Sequence, residues 1–288
     1  NGSVTFSGNS GGAIRSYYSS PVSITDNGSV EFRGNHVKSG STSSATYRLR
    51  SVYAEDSNLT FAAGAGQVIA FYDTLYAKGD DVAIKVSFNA DYTDSANVTR
   101  KATGDIVFSG KYAKEDLAAL KEDYTAQELA DSLTTEVYGM TNLYGGKLRI
   151  EDGAVYKGNG ISVAASSGAV LALRDATLDQ SGYDVTLGSG TTLSLSGAST
   201  IVADTLSMAS GSTLAVSLDG GNISTAALTL SGTWNHAGTL NVNVACDSAL
   251  ASEYPVKILD LYQDIVPARW NSTYVKVTGA KFSDLQWS

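Results

Sequence analysis

The sequence holds a single cysteine, Cys246, two histidines and three prolines. One thiol builds neither a disulfide framework nor a thiolate metal site. Cys246 ends an apolar-alternating run (Leu240, Val242, Val244) and reads as a small packed hydrophobe. His36 and His236 lie far apart, which argues against a catalytic triad or a histidine metal cluster. Basic residues are scarce too: 20 Lys and Arg face 29 Asp and Glu, for a net charge of -9. That balance argues against a nucleic-acid partner, because phosphate-backbone binding needs a basic surface. There is no run of about 18 apolar residues that could cross a bilayer as a helix. No charged-then-apolar leader opens the sequence, so any export signal is expected either to have been cut away or to lie outside these residues. No cofactor motif is present and no cofactor is expected.

What remains is 288 residues, 43% apolar and 17% charged, with 29 glycines. That is enough to bury a sizeable core, and it points to a strand-rich, turn-rich chain. Residues 1–9 read NGSVTFSGN and residues 27–35 read NGSVEFRGN. They differ only at Thr5/Glu31 and Ser7/Arg33. Echoes follow at 57–61 (SNLTF), 104–110 (GDIVFSG) and 145–150 (GGKLRI). Further on, Leu193-x-Leu195, Leu206-x-Met208, Leu214-x-Val216-x-Leu218, Leu228-x-Leu230 and Leu240-x-Val242-x-Val244 alternate with period two. Leu214 follows Leu193 by 21 residues, and Leu228 follows Leu206 by 22.

Short strands recurring at that interval, between turn residues, predict an all-β solenoid. One lap is too small to bury its own apolar face, and stacking laps makes a continuous core. An antiparallel sandwich also has many short strands, but it does not predict near-identical nonapeptides at a fixed offset. The specific expectation is a right-handed parallel β-helix of about ten to twelve rungs. The β-helix would occupy 1–250, and 251–288 would form a C-terminal cap over the open end.

One segment departs from period two. In residues 113–138, Leu117, Leu120 and Tyr124, then Leu129, Leu133 and Val137, recur at helical spacing. Thr125-x-x-Glu128 has the form of a capping box. Two short helices are expected to meet near Thr125, as a helical insertion over 111–140 that packs one apolar face on the strands. A structural flap or a lid or partner-binding role are both open readings of it.

Phe6-Ser7-Gly8-Asn9 and Phe32-Arg33-Gly34-Asn35 are Phe-x-x-Asn tetrapeptides, and Gly11-Gly12-Ala13-Ile14 follows the first. The pairing resembles the repeat signature of the chlamydial polymorphic membrane proteins, a family of autotransporter passengers. Residues 59–73, 106–110, 145–153 and 168–178 look similar to the same family and its relatives. Residues 187–244 resemble the smooth terminal rungs of such passengers, and 254–287 the segment before a membrane barrel. The resemblance implies a bacterial surface or secreted passenger, carried in the full-length protein by an outer-membrane barrel. The residues also explain themselves physically: Phe6 and Phe32 fill the core. Asn9 and Asn35 tolerate left-handed geometry and can form a hydrogen-bonded ladder, and Gly11 and Gly12 permit a tight corner.

Chemistry-bearing groups are few. The carboxylate clusters are Glu55-Asp56, Asp80-Asp81, Asp91 with Asp94, and Glu151-Asp152. Adjacent residues on a strand point to opposite faces, so a doublet is not a glycosidase pair. Calcium at Asp80-Asp81 is conceivable, but no Asp-x-Asp-x-Asp-Gly pattern supports it, and no metal is expected. Tyrosine is unevenly placed: 12 of the 16 precede residue 157. Exposed tyrosine gives rigid amphipathic contact area, as at protein and glycan interfaces; it also caps apolar seams. Arg15 with Tyr17 and Tyr18, and Tyr47 with Arg48 and Arg50, are the candidate contact patches. The expected function is an adhesive rod that binds a receptor protein or glycan on a host or neighbouring cell, with no catalytic residues. A glycan-active β-helix enzyme (a polysaccharide lyase or hydrolase) and a non-catalytic scaffold are the alternatives.

Overall fold

The computed structural model describes residues 2–18, 20–25, 28–41, 45–79, 83–94, 96–219, 228–245, 259–261 and 275–278. Cys246 and the Asp80-Asp81 pair lie outside them. Strands dominate, and they assemble into large parallel sheets. The first sheet has ten strands, from Val4–Ser7 at one edge to Val275–Thr278 at the other, and every neighbouring pair is parallel. The second sheet has sixteen strands in two limbs that meet at the ten-residue strand Ser199–Met208. The first part of that strand pairs with Thr177–Gln180 and the last part with Val185–Leu187.

The chain visits these surfaces in a fixed order. Lys147–Glu151 lies in the first sheet, Val155–Gly158 in one limb and Ile161–Val163 in the other. Val170–Arg174 then returns to the first sheet beside Lys147–Glu151. Alternation decides which side chains face inward. Leu148 and Ile150 are buried, as are Leu171 and Leu173, Leu193 and Leu195, and Leu214 and Val216. In register they form two aliphatic columns. Toward the other edge the second column becomes aromatic. Phe6, Phe32, Phe71 and Phe108 stack with centroids 4.9, 4.8 and 4.8 Å apart and rings within 8° of parallel. Phe32, Phe71 and Phe108 are buried, each worth about 1.5–3 kcal/mol before stacking is counted, while Phe6 at the edge is half-buried.

The two nonapeptides align residue for residue: Val4 opposite Val30, and Phe6 opposite Phe32. Other offsets differ from the sequence expectation. Leu59–Phe61 belongs to the second sheet, beside Val22–Ile24, and the partner of Phe32 is Phe71. Leu206 pairs with Trp234 rather than Leu228, which pairs with Ser199. A register shift between Val202 and Thr205 lets that long strand absorb the extra residues. Parallel pairing also continues past residue 250, because Leu259–Leu261 and Val275–Thr278 extend the two sheets. Antiparallel pairing, which a sandwich would need throughout, occurs twice among the described residues. His36–Ser39 pairs with Thr46–Glu55, and Tyr92–Thr93 pairs with Thr99–Arg100.

The helical excursion is shorter than 111–140. Helix α1 spans Ala113–Leu120 and α2 spans Ala126–Leu133, while Thr134–Val137 and Met140–Leu143 are strands of the second sheet. Val137, taken from its spacing as helical, lies on a strand and faces the core. The Thr125 capping box is formed: Glu128 N–H donates to Thr125 Oγ1 at 3.1 Å, and Thr125 N–H donates to Glu128 Oε2 at 2.7 Å. The helices bury Ala113 and Leu117 against Leu49 of the antiparallel hairpin, with Tyr47, Leu120, Tyr124, Leu129 and Leu133 around them. This is a second apolar cluster, separate from the main core. Backbone donors of the hairpin are satisfied across the seam: Tyr47 N–H by Glu128 Oε1 at 2.8 Å and Leu49 N–H by Ser132 Oγ at 3.0 Å.

Candidate functional site

Of the Phe-x-x-Asn residues, Phe32 and Asn35 are buried, Phe6 is half-buried against Phe32, and Asn9 is exposed at the end of the stack. Asn35 is fully buried, and its Oδ1 accepts from Asn9 Nδ2 at 2.7 Å. Its own Nδ2 donates to Phe6 O at 2.8 Å and to Asp73 Oδ2 at 2.7 Å. Asp73 also accepts from Gly34 N–H at 2.8 Å and Asn35 N–H at 2.9 Å. The ladder is therefore Asn9–Asn35–Asp73. The left-handed residues in the motifs are Gly8 and Gly34, with φ of 65° and 69°, rather than the asparagines. Gly12 sits at a close approach, where a Cβ would lie 3.3 Å from Arg50 O. Gly11 and Gly12 N–H groups both donate to His36 O, at 2.7 and 3.1 Å. Phe32 and Asn35 belong to the core, Gly11 and Gly12 to the corner, and Phe6 and Asn9 continue the two stacks at the edge strand. Burial pushes the Asp73 carboxyl up to about 7, against the donors from Asn35 and Gly34 that pull it down. At 3% exposure it is sealed from any groove.

The other carboxylates have protein partners. Glu55 accepts from Tyr53 Oη at 2.9 Å, and Asp56 occupies a left-handed turn. Asp91 pairs with Lys101 at 2.6 Å and Asp94 with Arg100 at 2.7 Å. Glu151 pairs with Arg149 at 2.6 Å and Asp152 with Arg174 at 2.8 Å. Among the described residues no three His, Cys, Asp or Glu side chains gather where they could hold a metal ion.

The outer face of one limb of the second sheet is different. Arg15, Tyr53 and Tyr76 occupy successive register positions, and the next strand places Glu136 there with Tyr138 two residues on. Tyr53 and Tyr76 stack with centroids 5.4 Å apart and planes 9° from parallel. Tyr17 joins at one end, 5.5 Å from Tyr53, and Tyr138 closes the other edge-on, 5.9 Å from Tyr76. Tyr18 leans on Tyr17 and is 84% exposed; Tyr17 and Tyr138 are 39% and 41% exposed. Arg15 is tied back to Gly11 O at 2.7 Å.

The second predicted patch divides. Tyr47 and Arg48 hold the excursion. Arg48 pairs with Glu136 at 2.8 Å and donates to Asp131 O at 3.1 Å, so its guanidinium is already engaged. Arg50 lies over the tyrosines, with its guanidinium carbon 4.7 Å from the Tyr76 centroid and 5.8 Å from that of Tyr53. It forms no ion pair among the described residues, and its buried Nε–H has no acceptor. Burial, then the neighbouring Arg48 charge, lower its pKa from the ordinary arginine range. A cavity of about 310 Å³ opens beside it, lined by Ser39, Thr46, Tyr47, Arg48, Arg50 and Gln127 among others.

Sequence reasoning placed Arg15, Tyr17 and Tyr18 in one patch and Arg50 in another; the structure brings Arg50 over the tyrosine row that Tyr17 joins. It did not single out Tyr53, Tyr76 and Tyr138. A signal was available: Tyr76 follows Tyr53 by 23 residues, within the range of the repeat offsets. No family model matches the chain, and no curated protein or solved structure matches it.

Proposed function

We propose that this chain is a right-handed parallel β-helix, the passenger part of an autotransporter related to the chlamydial polymorphic membrane proteins. In this reading it is carried by an outer-membrane barrel and acts as an adhesive rod at a bacterial surface, or free of it. Its partner is a receptor protein or glycan on a host or neighbouring cell. The observation that carries the reading is the outward tyrosine row from Tyr18 and Tyr17 through Tyr53 and Tyr76 to Tyr138. Rigid aromatic groups on the outside of a sheet do nothing for the core and supply contact area at small entropic cost. The resemblance in the Phe-x-x-Asn and Gly-Gly-Ala-Ile motifs supports the choice of family. Such a rod works by holding its contact face away from the membrane and needs no catalytic group.

The test is a cell-and-glycan binding array, repeated with Tyr17→Ser/Tyr18→Ser. Both residues are on the surface, so the fold tolerates the change. Binding that falls by about tenfold or more supports the reading. Binding by the double variant at the level of the parent would remove this face from the adhesive role.

A further inference from the structure

Resting on the adhesive reading, we infer that Arg50 and the cavity beside it form a subsite for a glycan bearing one carboxylate per recognised sugar, a uronic or sialic acid. Three observations converge. First, Arg50 has no ion-pair partner among the described residues, and Glu136, whose charge reaches it, is paired with Arg48. Arg33, Arg48, Arg149 and Arg174 pair with carboxylates at 2.6–3.5 Å, whereas Arg50 pairs with none among the described residues. It is also crowded by Arg48, and an incoming carboxylate relieves that repulsion while engaging the planar fork of guanidinium donors.

Second, the surroundings select the kind of anion. Glu128 and Asp131 line the same cavity, and Glu136 sits at the neighbouring register position. A phosphorylated, sulfated or acidic-peptide chain would bring its extra charges against these carboxylates. A single carboxylate among neutral hydroxyls meets one cation and few repulsions. Ser39, Thr46 and Gln127 on the wall offer the hydroxyl and amide groups that bond sugar hydroxyls. Third, the size and the continuation agree. About 310 Å³ accommodates one or two sugar rings. The tyrosine row passes beneath the same guanidinium at Tyr53 and Tyr76, giving an adjoining stretch of glycan amphipathic rings to lie on.

The experiment titrates the full chain with oligogalacturonate, oligoglucuronate and sialyllactose, with their carboxyl-reduced counterparts, and with a sulfated oligosaccharide and an oligoglutamate peptide. Arg50→Gln and the rim variant Ser39→Trp are measured alongside the parent, and thermal melting confirms that both are folded. The expected result is binding of at least one carboxylated probe, a loss of about tenfold or more on carboxyl reduction, and a similar loss in both variants. Ser39→Trp leaves Arg50 in place, so it reports on the cavity even if Arg50→Gln does not fold. Equal affinity for carboxylated and reduced probes overturns the inference. So does no binding of any probe, or binding that prefers a sulfated glycan or an acidic peptide. If cells are still bound through Tyr17 and Tyr18 while every carboxylated probe fails, this subsite falls and the adhesive reading stands. If neither cells nor probes are bound, both fall.

Discussion

The two ends of the described core are built to the same plan with different freedom. Along the column that runs through Phe32, successive first-sheet partners lie 39, 37 and 42 residues apart to Phe71, Phe108 and Ile150. From Ile150 onward, Leu173, Leu195 and Val216 follow at 23, 22 and 21 residues. The extra length in the first group is the antiparallel hairpin 36–55, the small hairpin 92–100 and the two helices. The stretch with long intervals carries phenylalanine inside and tyrosine outside; the stretch with short intervals carries leucine and valine inside and few large groups outside. Parallel pairing tolerates decoration at the corners as long as the in-register positions are kept. The candidate site lies where decoration is densest, which is where loops and insertions are free to take on recognition.

The comparison breaks most sharply in the aromatic column. Phe71→Ala removes a ring stacked on both Phe32 and Phe108 and edge-on to Phe61. It is expected to cost about 3–5 kcal/mol, against about 2–5 kcal/mol for Leu195→Ala in the stretch with short intervals. Urea unfolding of both variants checks this; a Phe71→Ala loss below about 2 kcal/mol would mean that the stretch with long intervals does not depend on its stack. Next comes the polar ladder. Asn35→Ala leaves Asp73 without its side-chain donor and Asn9 without its acceptor, for an expected loss of about 1–3 kcal/mol in the same measurement.

Asp73 adds a dependence on pH. Its pKa in the folded protein, about 7, lies above the value of about 3.9 expected when unfolded, so the folded state holds the proton more tightly. Its stabilising contribution is full below pH about 4 and is lost as the pH rises through 7. Glu128 behaves in the opposite way. The Thr125 N–H leads the groups that hold its carboxyl down to about 2, so its contribution is present above its usual pKa and lost as the pH falls through 2. Carbon-13 titration of the two carboxyls separates them; an Asp73 midpoint near 4 would refute the first assignment. The smallest effect is local. Thr125→Ala removes the cap of α2 and is expected to cost about 1 kcal/mol. Hydrogen exchange should then quicken in 113–133 with no change in 147–216.

The sequence carried the parallel register wherever a lap is nearly copied, as at Val4/Val30 and Phe6/Phe32, because identical residues stack best on themselves. It carried the capping box as well, since that motif is set by four consecutive residues. Other features depend on contacts that no local pattern encodes. Asp73 takes the place of a third asparagine two residues after Phe71 rather than three, so the spacing hides it. The hairpin that receives the helices offers one inward leucine, Leu49, too little for a periodicity signal. In the candidate site, Tyr17 and Arg50 were visible as residue types. That Arg50 lies over Tyr76 while Arg48 is spoken for by Glu136 follows from strand register, which only the assembled sheet determines.

The seam between hairpin and helices has a consequence for how the molecule comes apart. Where parallel strands are held only by their immediate sheet neighbours, opening can begin at an edge and proceed strand by strand. Here Leu49 N–H bonds Ser132 Oγ and Arg48 pairs with Glu136, from the strand Thr46–Glu55 to α2 and the strand Thr134–Val137. That brace reaches across Thr74–Lys78, the strand that lies between the two in the sheet. Thr46–Glu55, Thr74–Lys78, α2 and Thr134–Val137 are therefore expected to open together, whereas the strands from Lys147–Glu151 to Thr213–Asp219, held by their sheet neighbours, are expected to open more nearly one by one.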